Sequence, residues 1–252
     1  MARWWHVSWK RVGTTLLVIF LTPLLLAGVW LLVRIQLAPW QLARSIAADN
    51  PGIAVVPVAL PDHSVKTLSG MRIEHFGFSI QLPWKEVYRD SAWENSALIS
   101  SMDGGVVEVR NPSGSSDSVA MMRRMVNTLS AVHAESSATN YALTAAVMNA
   151  KPEQVKWWKT RGQNAKYATL LLMKSSFEVD CHGAISAIDL GEIHGFQQGN
   201  PSVAPYCVKL DLFDAGDHHF QIRIDQYPVR GPVVTQAEVN AMVASLRPAA
   251  QK

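Results

Sequence analysis

The sequence predicts an α+β protein: an N-terminal transmembrane helix followed by an α/β sandwich with a largely antiparallel sheet. Three observations predict this class. A long uncharged apolar run lies near the N-terminus. The remaining chain begins with strand-like alternation, changes to helical periodicity, returns to strand-like alternation, and ends with a helical segment. The order of strands, helices, strands and a final helix is typical of an antiparallel sheet layered with helices.

The apolar run covers residues 12–33, which are 22 residues without a charged side chain between Arg11 and Arg34. As a helix it would span roughly 33 Å, against about 30 Å of bilayer hydrocarbon. A cleaved signal peptide is the alternative, but its apolar core is ordinarily about 7–15 residues long and is followed closely by a small-residue site. The run therefore favours an uncleaved anchor. Tryptophans lie where membrane interfaces favour them: before the run are Trp4, Trp5 and Trp9, and at or after its end are Trp30 and Trp40.

The charge distribution predicts the orientation of this anchor. Residues 1–44 hold five basic and no acidic side chains, whereas the rest of the chain holds 18 basic and 20 acidic ones, a net charge of −2. Three of the five basic residues precede the run, so residues 1–11 are expected in the cytosol and the C-terminal part is expected to be exported. The localisation predicted is a single-pass inner-membrane protein, with a periplasmic domain if the source is Gram-negative.

The same charge balance bears on partners. Outside the N-terminal segment no global positive field exists, so nucleic acid is not expected as a partner. The partners expected are the lipid bilayer and a further envelope protein.

Residues 34–64 are interpreted as a juxtamembrane segment and linker. Ile35 to Ala48 either prolong the helix or lie on the membrane surface, and residues 50–52, Asn-Pro-Gly, end the helix. Pro57 and Pro61 favour extended backbone, so 49–64 reads as a stiff linker. Residues 65–252 are then the exported α/β domain.

Within that domain, period-two alternation predicts strands in its first part and in its last third, ahead of the final helix. The predicted strands are 72–76, 78–82, 97–102, 106–110, 184–189, 208–214 and 219–225, with hairpin turns at Gly77, 103–105 and 215–217. Asp117 and Asn140 are predicted to cap two helices, and Pro152 to begin a third that runs into Trp157 and Trp158. Residues 167–174 read as a buried strand or as a continuing helix.

The final helix carries a capping-box pattern. Thr235 stands at the cap and Glu238 three residues later, and the helix is predicted to run to Leu246 before Pro248. Its apolar side chains recur at helical spacing and are expected to pack on the sheet.

The two cysteines, Cys181 and Cys207, both lie in the part expected to be exported. An oxidising compartment permits a disulfide between them. In the chain-entropy model, closing a loop of about 27 residues contributes roughly 3–4 kcal/mol to stability. Two unpaired thiols remain the alternative.

The residues Phe76 to Trp84, Phe-Gly-Phe-Ser-Ile-Gln-Leu-Pro-Trp, carry a family resemblance. This stretch resembles the opening strand of PsbP-like domains, in which an aromatic-Gly-Phe strand leads to a Pro and a Trp. The terminal helix ending in Ser245-Leu246-Arg247 is also similar. The sequence departs from the family pattern because Trp84 follows Pro83 directly, without a preceding Gly. The resemblance implies an α/β/α fold with a binding or assembly role, and it carries over no catalytic residue. The chain is also similar to uncharacterised single-anchor bacterial envelope proteins.

No nucleophile elbow, zinc-protease, P-loop or dinucleotide-binding motif is found in the sequence. His218 and His219 are neighbours on a strand and point to opposite faces, so they do not readily share a metal. Cys181 and His182 have no standard zinc-finger spacing to Cys207 and His194. No catalytic residue, metal or cofactor is therefore predicted.

A candidate interaction surface comes from the basic helical insert, with Trp157, Trp158, Arg123 and Arg124 as its residues. One of two adjacent tryptophans can reach the core while the other is left for a partner, although core packing of both is the alternative. Basic residues there could face anionic lipid headgroups or another protein. The predicted function is a membrane-anchored envelope protein with a non-catalytic binding or assembly domain; the alternatives are an anchored hydrolase whose site is not visible in sequence, and a purely structural envelope protein.

Overall fold

The computed structural model of the 252-residue chain describes residues 9–111, 118–176, 181, 184–227 and 234–248, with side chains of the first helix from Leu21 onward. Its class is α+β. The helices are α1 (Trp9–Asp49), α2 (Ser118–Thr128), α3 (Asn140–Met148), α4 (Arg161–Ser175) and α5 (Gln236–Ala244). The strands are β1 (Val58–Ala59), β2 (Arg72–His75), β3 (Phe78–Gln81), β4 (Val87–Ala92), β5 (Ser96–Ser101), β6 (Gly105–Arg110), β7 (Ile185–Leu190), β8 (Ile193–Gly199), β9 (Val208–Phe213), β10 (His219–Gln226) and β11 (Arg247–Pro248).

These strands form two sheets. The large sheet has eight strands in the order β1-β7-β8-β9-β10-β6-β5-β4, and the small sheet has three in the order β11-β3-β2. All pairings are antiparallel except that of β1 with β7. The largely antiparallel sheet predicted from the sequence is thus confirmed.

The two faces of the large sheet bury separate apolar cores. One face packs against α5 and the small sheet, and its core includes Ile99, Leu212 and Ile222. The other face packs against the helices through Phe196 and Phe213. Alternation along β9 places Leu212 and Phe213 on opposite faces, as a pleated strand requires.

Helix α1 is continuous over 41 residues, about 60 Å at 1.5 Å per residue. Among the described helices it is the one long and apolar enough to cross a membrane, with a mean hydropathy of 1.8 in an 18-residue stretch within Leu21–Asp49. Its side chains are exposed from Leu21 to Gln36, whereas Ala43 and Ile46 are buried in the helix-side core. Of the two sequence interpretations of residues 35–48, the structure has the prolonged helix.

The chain after α1 is packed on the domain rather than extended away from it. A short 3₁₀ segment, Pro51–Ala54, buries Ile53, and Leu60 is buried beyond β1. Strand β1 pairs with the edge of the large sheet through Val58 and Ala59. The prolines favour extended backbone, as expected, but the apolar side chains between them hold this segment against the fold.

Several predicted elements are confirmed: the β2–β3 and β5–β6 hairpins, the β9–β10 hairpin, and the Thr235–Glu238 capping box of α5. The strand interpretation of residues 167–174 is wrong, because they belong to α4. The helix expected from Pro152 is a 3₁₀ turn, Pro152–Gln154, and Trp157 and Trp158 follow it in a turn. Asp117, the expected cap of α2, lies outside the described residues.

Candidate tryptophan surface

Trp157 and Trp158 are both exposed, with 60% and 63% of their surfaces accessible. Their rings meet edge to face, with centroids 5.7 Å apart. Neither ring belongs to an apolar core. Core packing of both, one of the sequence alternatives, is therefore wrong. Trp157 and Trp158 lie in a turn rather than on the helix that the sequence predicts, and the turn brings their rings into contact.

The backbone beneath these rings is held by buried side chains. Asn164 of α4 is buried, and its Oδ1 accepts a hydrogen bond from Lys156 N at 3.1 Å while its Nδ2 donates to Lys156 O at 2.7 Å. Val155, on the other side of the turn, is buried in the helix-side core. Thr160 then caps α4 by accepting from Gln163 N. The tryptophan pair thus projects from a fixed turn at the N-terminus of α4.

This turn also contacts α1. Gln36 Nε2 donates a hydrogen bond to Lys159 O at 3.4 Å, between residues 123 positions apart in sequence. Helix α1 packs along α4, and Trp40 packs against the helix-side core. We call residues 156–159, together with the exposed part of α1 at 34–36, the tryptophan surface.

Basic side chains surround the tryptophan surface. Lys156 Nζ lies 5.1 Å from the ring centroid of Trp158, and the Arg34 guanidinium lies 4.5 Å from that of Trp30. Both distances fall within the range of cation–π attraction. Residues 151–161 contain four basic side chains and one acidic side chain, Glu153, for a net charge of +3.

A buried lysine near the end of α4 holds the chain that follows α1. Lys174 Nζ donates to Val55 O at 2.6 Å and to Ala150 O at 3.0 Å. Burial, with a smaller contribution from the positive charge of Lys151, lowers the pKa of Lys174 to about 8. Lys174 thereby ties the chain just beyond α1 to the helix layer. Sequence reasoning missed it, since a lone lysine in an apolar run gives no signal of its partners.

The two predicted arginines have different roles. Arg123 of α2 is half-buried and donates to Ser136 O at 3.2 Å and to Asn140 Oδ1 at 2.8 Å. It therefore joins α2 to the segment before α3 and to the first residue of α3. Arg124 is exposed on α2. In the part of the chain that the structure describes, no hydrogen bond or ring contact joins Arg123 to either tryptophan.

The N-terminus of α3 is capped from the sheet, which the sequence did not indicate. The Asp217 carboxylate, in the β9–β10 turn, accepts from Asn140 N and, at 2.9 Å, from Tyr141 N. Thr139, not Asn140, is the local cap, since its hydroxyl accepts from Ala142 N. Negative charge at a helix N-terminus is favourable, so Asp217 fixes α3 on the hairpin.

The histidine–carboxylate pairs are separate from one another. His219 Nε2 lies 3.2 Å from Asp211 Oδ1 inside the protein, whereas His218 Nδ1 lies 2.9 Å from Asp214 Oδ2 at the surface. Burial alone would raise the pKa of Asp211, but His219, Lys209 and Gln221 together outweigh it and lower that pKa. Over the described ranges, no group of three or more His, Cys, Asp or Glu side chains is placed to hold a metal ion.

Cys181 and Cys207 form a disulfide, with their Cα atoms 5.2 Å apart. It ties the chain ahead of β7 to the start of β9. Gly199, with a φ of +82°, lies against this bond, and a Cβ there would fall 2.2 Å from Cys207 O. The predicted disulfide is present, and the zinc alternative loses both sulfur ligands; His182 lies outside the described residues.

A surface cleft of about 420 Å³ lies between the chain after β3, the β5–β6 turn and α5. Its lining residues are Pro83, Trp84, Lys85, Glu86, Met102, Asp103 and Glu238. Glu238 is engaged by Lys66 at 2.7 Å and by the α5 capping box. The cleft lining brings together carboxylates and one lysine, without a histidine.

Comparison of the chain with protein-family models, with curated proteins and with solved structures finds no match.

Proposed function

We propose that this chain is a single-pass membrane protein that holds an exported α+β domain directly at the bilayer surface for binding or assembly. Residues 12–33 of α1 cross the bilayer, and residues 1–11 lie in the cytosol. The observation that carries the proposal is the unbroken course of α1 from exposed apolar side chains into the domain core at Ala43 and Ile46.

The exposed part of α1 supports a bilayer as its surroundings. Leu24, Leu25, Leu26 and Leu32 each expose more than 60% of their surface. Monomeric soluble proteins rarely expose a contiguous apolar patch above about 300–600 Å². Within a bilayer each such leucine instead contributes roughly −0.3 to −0.6 kcal/mol to insertion.

The disulfide and the flanking charges support export of the domain. Disulfides persist in oxidising compartments and are rare in the cytosol. The basic residues ahead of the apolar run outnumber those just after it, which favours a cytosolic N-terminus. Under the proposal, Cys181 and Cys207 lie on the exported side.

The binding or assembly role is supported by exposed aromatic side chains at the end of the large sheet. Tyr88 of β4 and Trp93 just after it expose 63% and 52% of their surfaces. Tyrosine and tryptophan are enriched where proteins contact partners. The PsbP-like resemblance of residues 76–84 stays a prediction and implies the same kind of role. The partner proposed is an exported envelope protein.

Alkaline extraction of membranes tests the anchor. Leu24→Arg with Leu25→Arg places two charges near the centre of the run, at about 2.5–3.5 kcal/mol each. The wild-type chain is expected to stay in the membrane pellet and this variant to be released in part. Leu42→Arg is the matched control, because Leu42 is exposed on the same helix beyond the run. Release of the wild-type chain would contradict the anchor.

Photo-crosslinking in intact cells tests the binding role. A benzophenone amino acid at Tyr88 is expected to capture the same envelope protein in repeated experiments. The control position is Glu192, which is exposed in the β7–β8 turn. Equal capture from both positions, or capture of nothing but the chain itself, would count against a partner at β4.

A further inference from the structure

Two hydrogen bonds, one from α1 and one to the chain just beyond it, fix the relative direction of α1 and α4. Gln36 of α1 meets Lys159 at the start of α4, and the chain just beyond α1 meets Lys174 at the end of α4. The helices therefore run side by side in the same direction. If α1 rises out of the bilayer toward its C-terminus, the N-terminus of α4 is its membrane-facing end.

The height of this end above the bilayer follows from helix geometry. Gln36 lies three residues beyond Val33, the last residue of the apolar run, which is about 4.5 Å along the helix axis. The headgroup layer on each side of the hydrocarbon is about 5–7 Å thick. The turn that contacts Gln36 thus lies at headgroup level, and the exposed rings of Trp157 and Trp158 extend from it.

The chemistry of this turn matches that layer. Tryptophan is enriched at membrane–water interfaces, where its apolar ring and N–H group are both accommodated. The net charge of +3 over residues 151–161 is complementary to anionic lipid headgroups. The tryptophan surface also adjoins the part of α1 that leaves the bilayer. Arg34 and Trp30 lie on that part of the helix.

We propose that Trp157 and Trp158 insert into the headgroup layer of the same leaflet from which α1 emerges and form a second lipid contact. This contact rests on the proposed anchoring by α1. Two contacts, one through α1 and one through the tryptophan turn, prevent the domain from rotating about the helix axis. The domain is then presented to its partner in one orientation.

Photolabelling in lipid vesicles tests this contact. The full chain is reconstituted in vesicles of phosphatidylcholine and phosphatidylglycerol with a benzophenone amino acid at position 157, and lipid adducts are measured by mass spectrometry. The expected result is several-fold more lipid adduct from position 157 than from the control position 93. Equal, low labelling at both positions would overturn the second contact.

A lifted variant provides an independent test of the same contact. Seven polar helix-forming residues inserted after Arg34 raise the domain by about 10 Å with little change in helix phase. Lipid labelling at position 157 is expected to fall to the level at position 93. Unchanged labelling in this variant would overturn the proposal.

Alkaline extraction of the same vesicles separates this inference from the proposed function. Extraction of the chain would show that α1 does not anchor it, so that both fail. Retention of the chain without lipid labelling at position 157 would overturn the tryptophan contact alone.

Discussion

At strands β9 and β10 of the large sheet, the two faces bury different kinds of side chain. Toward α5 and the small sheet these strands bury apolar groups, with Gln226 at the end of β10 as a polar exception, whereas toward the helices they also bury polar and charged groups. The apolar set is Leu210, Leu212, Phe220, Ile222 and Ile224, and the buried polar set opposite it is Lys209, Asp211, His219 and Gln221.

The two kinds of buried group have different roles: one mainly stabilises the fold, and the other fixes how its layers are positioned. Apolar burial is non-directional and stabilises the fold without specifying how layers sit on one another. Hydrogen bonds and ion pairs require defined geometry, so Asp217 fixes α3 on the β9–β10 hairpin, and Lys174 ties the chain just beyond α1 to the helix layer. Because α1 joins this helix layer, the polar contacts also set how the domain stands on its anchor.

The largest loss of stability is expected from the apolar face. Ile222→Ala empties a fully buried site and is expected to lower the free energy of unfolding by about 2–5 kcal/mol. Thermal unfolding of the full chain in detergent measures it, with the exposed Val203→Ala as control. A loss as small as that of the control would show that this face is not the main core.

Removal of the disulfide is expected to have the next largest effect. The double variant Cys181→Ser with Cys207→Ser should lose about 3–4 kcal/mol of stability, because the unfolded chain regains the entropy of an open loop. A reductant should lower the melting temperature of the wild-type chain and leave that of the variant unchanged. A reductant-insensitive wild-type chain would mean that the bond does not form.

A smaller loss of stability is expected from a change at Asp217, where the β9–β10 hairpin contacts the N-terminus of α3. Asp217→Asn removes the negative charge and one of the two acceptor oxygens at the helix N-terminus, for a loss of about 1 kcal/mol. Amide hydrogen exchange should rise in α3 while β5 and β6 stay protected. The same change at exposed Glu192, Glu192→Gln, should alter neither, and a uniform rise in both variants would contradict the local role of Asp217.

The last prediction is a pH dependence from Lys174. Its pKa is about 8 in the folded chain against 10.5 in the unfolded chain, so between these values the unfolded state binds more protons. The wild-type chain should therefore gain stability as pH rises from 8 to about 10.5, relative to Lys174→Met. Melting temperatures of both chains across this range test it, and parallel curves would contradict the lowered pKa.

The sequence predicts the secondary structure correctly where local patterns determine it. The hairpins at 97–110 and 208–226 have alternating side chains and turn residues, and α5 has a complete capping box. Strand β8 was missed because Ile-His-Gly-Phe-Gln-Gln-Gly places polar groups at buried positions. Residues 167–174 were misread because a continuous apolar run fits a buried strand and a buried helix equally well.

The candidate site was readable only in part. Two adjacent tryptophans beside basic residues mark a surface, and the sequence suggested Trp157 and Trp158 for that reason. Their placement beside α1 depends on the contact of Gln36 with Lys159, which local periodicity does not encode. Arg123 shows the converse: it was chosen for its charge, but its hydrogen bonds join α2 to the segment before α3 and to the start of α3.

Reporter fusions at the C-terminus test the central claim, that α1 crosses the bilayer and leaves the domain on the exported side. The full chain is fused in parallel to alkaline phosphatase, which requires an oxidising compartment, and to green fluorescent protein, which folds in the cytosol. In a Gram-negative host the phosphatase fusion is expected to be active and the fluorescent fusion dark. A bright fluorescent fusion with an inactive phosphatase would contradict the claim.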